Sequence, residues 1–195
     1  MKLTVEASCL HTGVSAPTVV ECNHRIRRCQ GRLHENLRAI QIGIPNMTVE
    51  IDEAHLYTNR RRIGQRLVGE RYWIVARICR ETKEVFYVVT LVRSAELLTD
   101  LIVRHVLSGT RIITDSWRGY NRLSLFYEHR TVNHGRRFVD EVDITIHTNT
   151  IERLWSNLRE NVPSNLTAFN LEEHLKNYML NRMMEVSNVS NRLIK

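Results

Sequence analysis

The chain has no apolar run approaching the roughly 18 residues of a membrane span, so a transmembrane helix is not expected. Its first residues, Met1-Lys2-Leu3-Thr4-Val5-Glu6, lack the apolar core of a signal peptide. No CxxC pair occurs. Cys9, Cys22, Cys29 and Cys79 are scattered, which fits reduced thiols better than a zinc site or a disulfide frame. Proline is scarce, with three in 195 residues, and no repeat or low-complexity segment breaks the chain. What remains is a foldable, basic sequence. A hydrophobic share of 43% is enough for a real core, and the length suits one full domain plus a small appendage. The net charge of +7 favours a polyanionic partner, nucleic acid before membrane, although 21 acidic residues offset the 28 basic ones.

Residues 3 to 29 read as two helices around a turn at His11-Thr12-Gly13-Val14-Ser15, with Ser15 as cap and Pro17 in the first turn of a basic second helix. This fits a helix-turn-helix, or equally an ordinary helical hairpin. As a helix-turn-helix it starts abruptly, which suggests a truncated amino end. Gln30 to Met47 reads as a helix remnant and linker, and Thr58 to Arg66, with Arg60, Arg61 and Arg62, reads as a basic loop. Strands are expected at Thr48–Leu56, Tyr72–Cys79, Glu84–Val92, Thr110–Thr114 and His129–Asn133. A helix capped by Ser94 falls between the third and fourth strands, and a short one through Tyr120 and Leu123 follows the fourth. Residues 134 to 147 read as irregular. A helix then carries Ile151, Leu154, Trp155, Leu158 and Val162 at helical spacing and stops at Pro163. A last helix, about Leu171 to Glu185, precedes a loose tail.

Hairpin-length turns make the first three strands antiparallel, and helical crossovers let the later ones run parallel. That is the strand logic of an RNase H-like fold: a mixed five-stranded α/β sheet flanked by helices, here preceded by a partial helix-turn-helix. The expected division is residues 1–47, a catalytic domain at 48–186, and a tail at 187–195. In this logic the first and fourth strands are neighbours, which makes Asp52 and Asp115 neighbours too.

Asp52 interrupts an apolar strand. It has a bland alternative as a solvent-facing residue, and Glu50, on the same face by period two, competes for that role. Asp115 ends a buried-looking strand just before helix-forming sequence, where an aspartate also serves as a helix cap. Glu152 opens a helix, and Asn149-x-x-Glu152 resembles a capping box. Two strand carboxylates and one helix carboxylate make a site for two Mg²⁺ ions. Glu152 and Arg159 are seven positions apart and project within about 20° of each other, which suits a phosphate-binding Arg159 beside the metal site, or equally a solvated helix flank. Arg60, Arg61, Arg62, Arg136 and Arg137 are further candidates for DNA phosphates. His134 and His147 lack paired ligand spacing and read as hydrogen-bonding or loop residues before ligands. Asp140 and Asp143 stand in reserve as third ligands.

Val49-Glu50-Ile51-Asp52-Glu53, Asp115-Ser116-Trp117-Arg118-Gly119-Tyr120, Val132-Asn133-His134, Phe138-Val139-Asp140 and His147 through Trp155 resemble the motif set of ISXO-type insertion-sequence transposases and their Merlin-type relatives. The likeness runs from about residue 48 to 180. It implies an RNase H-like DDE domain, with Asp52, Asp115 and Glu152 as metal-binding acids. It also implies Mg²⁺ as two ions, with Mn²⁺ as a substitute. The expected partners are DNA, as transposon ends and target, and further copies of the chain on that DNA. The compartment would be the nucleus in a eukaryote or the cytoplasm and nucleoid in a bacterium. Arg159 falls where the family usually has Lys, which keeps the charge but changes the donor geometry. Gly135 stands where Ser is common. The zinc ribbon usual in the family is missing, and the helix-turn-helix looks clipped. Two rival expectations follow: a transposase-derived DNA-binding protein without catalysis, and an RNase H-like nuclease with an unrelated substrate.

Overall fold

β-Branched and aromatic residues on either side of Gly64-Gln65 build the longest hairpin of the molecule. In the computed structural model, β1 (Thr48–Ile63) pairs antiparallel with β2 (Arg66–Cys79). The residues described are 4–36, 41–63, 66–133, 143–163, 166 and 168–193. The basic segment expected as a loop is instead ladder: Arg60 stands opposite Gly69, Arg61 opposite Val68 and Arg62 opposite Leu67. Tyr57, Thr58 and Ile63 on one strand and Leu67 and Val68 on the other suit an extended pair, and that preference carried through the three arginines. A register shift between Ala54 and Tyr57 marks a bulge shortly after Asp52.

β3 (Val85–Thr90) continues the antiparallel set, and β4 (Arg111–Asp115) and β5 (Glu128–Val132) run parallel to β1. The sheet order is β3-β2-β1-β4-β5. Three antiparallel strands followed by two parallel ones, with β1 central, is the RNase H-like arrangement, and β1 and β4 are neighbours as expected. Val49, Glu50 and Ile51 of its central strand are buried, covered from both sides. On one face Ile74, Ala76 and Ile78 of β2 pack against α4 (Asn149–Asn161) and α5 (Ala168–Leu193), through Ile151, Leu154, Trp155 and Leu158, then Leu171, Leu175 and Met179. On the other, Val49, Ile51 and Ile112 pack against Leu98 and Ile102 of α3 (Ala95–His105) and against Tyr120 and Leu123 of a 3-10 helix, Arg118–Leu125.

The chain divides into two compact units, Met1–Arg38 and Ala39–Lys195. The first holds α1 (Val5–Thr12) and α2 (Ala16–Asn36), separated by Gly13 in the left-handed region at φ 70°. The boundary falls ahead of the expected one because Ile42 is no linker residue. It is 2% exposed in the core and bridges to Val106. At the other end α5 continues to Leu193, through most of the expected tail, since no glycine or proline after Pro163 breaks it. No helix among the described residues is long and apolar enough to cross a membrane.

Candidate metal centre

Strand periodicity decides which way each acid of β1 points. Val49 and Ile51 face the α3 side, so Glu50 and Asp52 face α4. Glu50 stands opposite Ile113 of β4, and two residues further along both parallel strands come Asp52 and Asp115. The same alternation therefore puts both aspartates on one face, at the carboxyl end of their strands.

Asp52 accepts a hydrogen bond from the indole Nε1 of Trp155 at 2.8 Å. Burial raises its pKa from 3.8 to about 6 against the pull of that indole, and the charges of Asp115 and Glu152 push it further up. Trp155 lies three residues beyond Glu152. A buried indole N–H needs an acceptor, which was the one signal in the sequence for this contact.

Asp115 closes β4 and starts a turn. Its Oδ1 accepts the backbone N–H of Trp117 at 3.0 Å. The 3-10 helix begins after Trp117, which makes no side-chain cap bond, so Asp115 orders the turn instead of capping the helix. The Trp117 ring is wedged in place. Arg93 lies over it at 3.9 Å, Tyr120 meets it edge-on at 5.5 Å, and any Cβ on Gly119 would collide with it.

Glu152 is carried by α4, whose cap position is Thr148, one residue earlier than a box starting at Asn149 requires. The third helical residue is therefore Ile151, and its N–H goes to Glu50 Oε2 at 2.8 Å, from the opposite layer of the fold. Thr148 itself makes no side-chain cap bond. Arg159 lies exposed in the last turn of the same helix.

The three acids thus come from three elements to one face, close enough for Asp52 to feel both other charges. They do not yet close on a point: among the described residues no three His, Cys, Asp or Glu side chains stand together as a ready metal site. The donor set nonetheless fits a hard divalent cation, because all three ligands are carboxylates. A cation would offset the mutual repulsion that raises the pKa of Asp52.

Glu50 is not the solvent-facing residue that period two allowed, and its neighbour Glu53 is buried as well. Glu50 is 0% exposed and pairs with Arg80, whose Nε lies 2.5 Å from Oε1. Glu53, on the opposite face, takes a hydrogen bond from the Tyr120 hydroxyl and an ion pair from Arg93. Burial still pushes Glu53 up to about 7. His147 stands with its Nδ1 3.1 Å from Arg80 Nη2, in a hydrogen-bonding role. Asp143 accepts from the backbone and hydroxyl of Thr145, at 2.9 and 2.6 Å, within its own turn. Arg136, Arg137, His134, Gly135 and Asp140 lie outside the described residues.

With the geometry in place, the sequence profile of the ISXO2-like transposase domain matches residues 46–183, which span the whole sheet and α4. The chain belongs to that family. No curated protein matches it. Among solved structures this transposase-family chain is similar to the HTLV-2 integrase catalytic core domain in complex with magnesium, in its trimeric form. That likeness has 14% identity and a TM-score of 0.34, over 72% of this chain and 84% of that one. It is also similar to a chain of the simian T-cell lymphotropic virus intasome, with 17% identity and a TM-score of 0.36, over 70% of this chain and 49% of that one. The chain therefore spans about half of the latter.

Proposed function

We propose that this transposase-family chain is a metal-dependent DNA transposase that cleaves strands at transposon ends and joins them to target DNA. One observation carries the reading: Asp52, Asp115 and Glu152, from three elements, share one face, near enough for the charges of the other two to raise the pKa of Asp52. Neighbouring carboxylates each raise the cost of ionising the others, and a divalent cation bound among them would offset that cost.

In this reading the three acids hold Mg²⁺, or Mn²⁺ in its place. When bound, two such ions supply an activated nucleophile and a stabilised leaving oxygen for an in-line displacement at phosphorus. The residues have separate tasks. Asp52 is aimed by the Trp155 indole, and Asp115 by the amide of Trp117. Arg159, two turns along α4 from Glu152, contacts a DNA phosphate near the scissile bond. Arg60, Arg61 and Arg62 extend along β1 and hold phosphates further away, with Arg136 and Arg137 assigned the same task from sequence. The chain acts as copies assembled on the two DNA ends. A domain that only binds DNA is the second reading, supported by the short helical unit that precedes the sheet.

The test is a gel assay of strand cleavage on DNA carrying the flanking terminal repeats. Cleavage with Mg²⁺ that stops with EDTA is expected. Tight binding without cleavage in Mg²⁺ or Mn²⁺ favours the binding-only protein.

A further inference from the structure

Glu50 lies two residues from Asp52 on the same face of β1, yet its chemistry runs the other way. A fully buried carboxylate must be paired and hydrogen-bonded on both oxygens to be tolerated. Here Oε1 meets Arg80 Nε at 2.5 Å, and Oε2 accepts the Ile151 amide at 2.8 Å. The second contact spans 101 residues of sequence and occupies an amide that α4 cannot satisfy internally. Thr148, which holds the cap position, makes no side-chain cap bond.

Arg80 completes the arrangement. Its Nη1 donates to the carbonyl of Thr145 at 2.6 Å, and its Nη2 to the carbonyl of His147. One guanidinium thereby joins the end of β2, the acid on β1 and the loop that enters α4.

The next residue after Ile151 is Glu152. A helix held to a sheet only by an apolar stripe can shift by a fraction of a turn, because hydrophobic contact is non-directional. A hydrogen bond to its first turn removes that freedom. The place of Glu152 relative to Asp52 is then set by two residues of strand, one hydrogen bond and one residue of helix.

We propose that Glu50 is a positioning residue for Glu152: it takes the Ile151 amide to fix α4 in register with β1, and Arg80 locks Glu50 and the entering loop. This rests on the metal-site reading above. Glu50 itself binds no metal in it.

Two readouts on the full chain separate the possibilities: exchange of the Ile151 amide, followed by NMR without metal, and Mn²⁺ affinity, measured by calorimetry on folded protein. Glu50→Ala should expose the Ile151 amide and weaken Mn²⁺ by about tenfold or more, the usual scale for losing a partner that orients a ligand. Glu50→Gln keeps an acceptor oxygen and should restore most of both. A merely stabilising residue would leave the affinity of the folded molecules unchanged. Should Glu50→Ala fail to fold, Glu50→Leu combined with Arg80→Met removes the acceptor without stranding a buried charge, and the same loss of Mn²⁺ affinity is expected. Wild-type affinity in a folded variant that lacks the acceptor overturns the proposal. Failure of the wild-type chain to bind Mn²⁺ at all overturns the metal-site reading, and this inference with it.

Discussion

The base of β1 and the stretch just beyond it are built on opposite electrostatic terms. At the base, Glu50 is 0% exposed, and both its oxygens are taken, by Arg80 and by the first turn of α4. Two residues on, Asp52 has an indole N–H for company, and the charges of Asp115 and Glu152 act against it. Glu53, next along, points through the sheet to Arg93 and Tyr120. Of three acids within four residues, two are compensated by cations of the protein itself and one is left beside two like charges. The lesson is that pairing, more than burial, separates Glu50 and Glu53 from Asp52. A buried carboxylate with its own arginine is finished. A half-buried one beside two other acids is the one the proposed reading gives to a metal ion.

The contrast is broken most severely by removing acids of the second kind. Asp52→Asn or Asp115→Asn should abolish Mg²⁺-dependent strand cleavage while the circular dichroism spectrum stays native. Retained cleavage in either variant would remove that residue from the site. Next in size is the acid of the first kind. Glu50→Ala strands Arg80 and the Ile151 amide, so unfolding in denaturant should show a loss of about 3 kcal/mol. A loss under about 0.5 kcal/mol would place Glu50 among ordinary surface acids.

The opposite sign is expected at Asp52. Its pKa rises from 3.8 to about 6 on folding, so the native state binds the extra proton between those values. Stability from this group is complete below about pH 4 and is lost as pH rises through about 6. Glu53, moved from 4.5 to about 7, adds a loss of the same sign at slightly higher pH. In metal-free protein near pH 7.5, Asp52→Asn should therefore raise stability, by at most about 3 kcal/mol. Mg²⁺ should stabilise the wild-type chain and not the variant. His129 and His147, both lowered by burial, act with the opposite sign in this window, so the comparison is with Asp52→Asn: a wild-type chain that loses no stability relative to that variant between pH 4 and about 7 without metal would contradict the account.

Much of this frame could be read in the amino-acid sequence, and the exceptions have physical causes. The strand order was legible because turn lengths separate antiparallel from parallel neighbours, and β1 and β4 do lie side by side. Asp115 stood out as an acid ending an apolar strand. The role of Glu50 was not legible, since period two tells which residues share a face and not whether a second layer covers it. α4 covers that face, and its cap comes from a residue 101 positions away, a distance at which local capping patterns are blind. The arginines at 60 to 62 looked like a loop because charge runs usually are, whereas pairing with residues 67 to 69 made them strand.

The smallest effect expected concerns those arginines. Replacing Arg60, Arg61 and Arg62 with Ala should flatten the slope of log DNA affinity against log salt, by up to about 0.9 for each phosphate no longer neutralised. An unchanged slope would leave the extended hairpin without a part in DNA binding.

Glu152 tests the central claim most directly, because Glu50 already accepts the first-turn amide of Ile151 at the start of the same helix. Glu152→Gln is to be assayed for Mg²⁺-dependent nicking of terminal-repeat DNA, with its melting temperature as the control. The account predicts a melting temperature close to wild type and no nicking. Nicking near the wild-type rate would contradict it, since a metal ligand works by its charge and the glutamine has none.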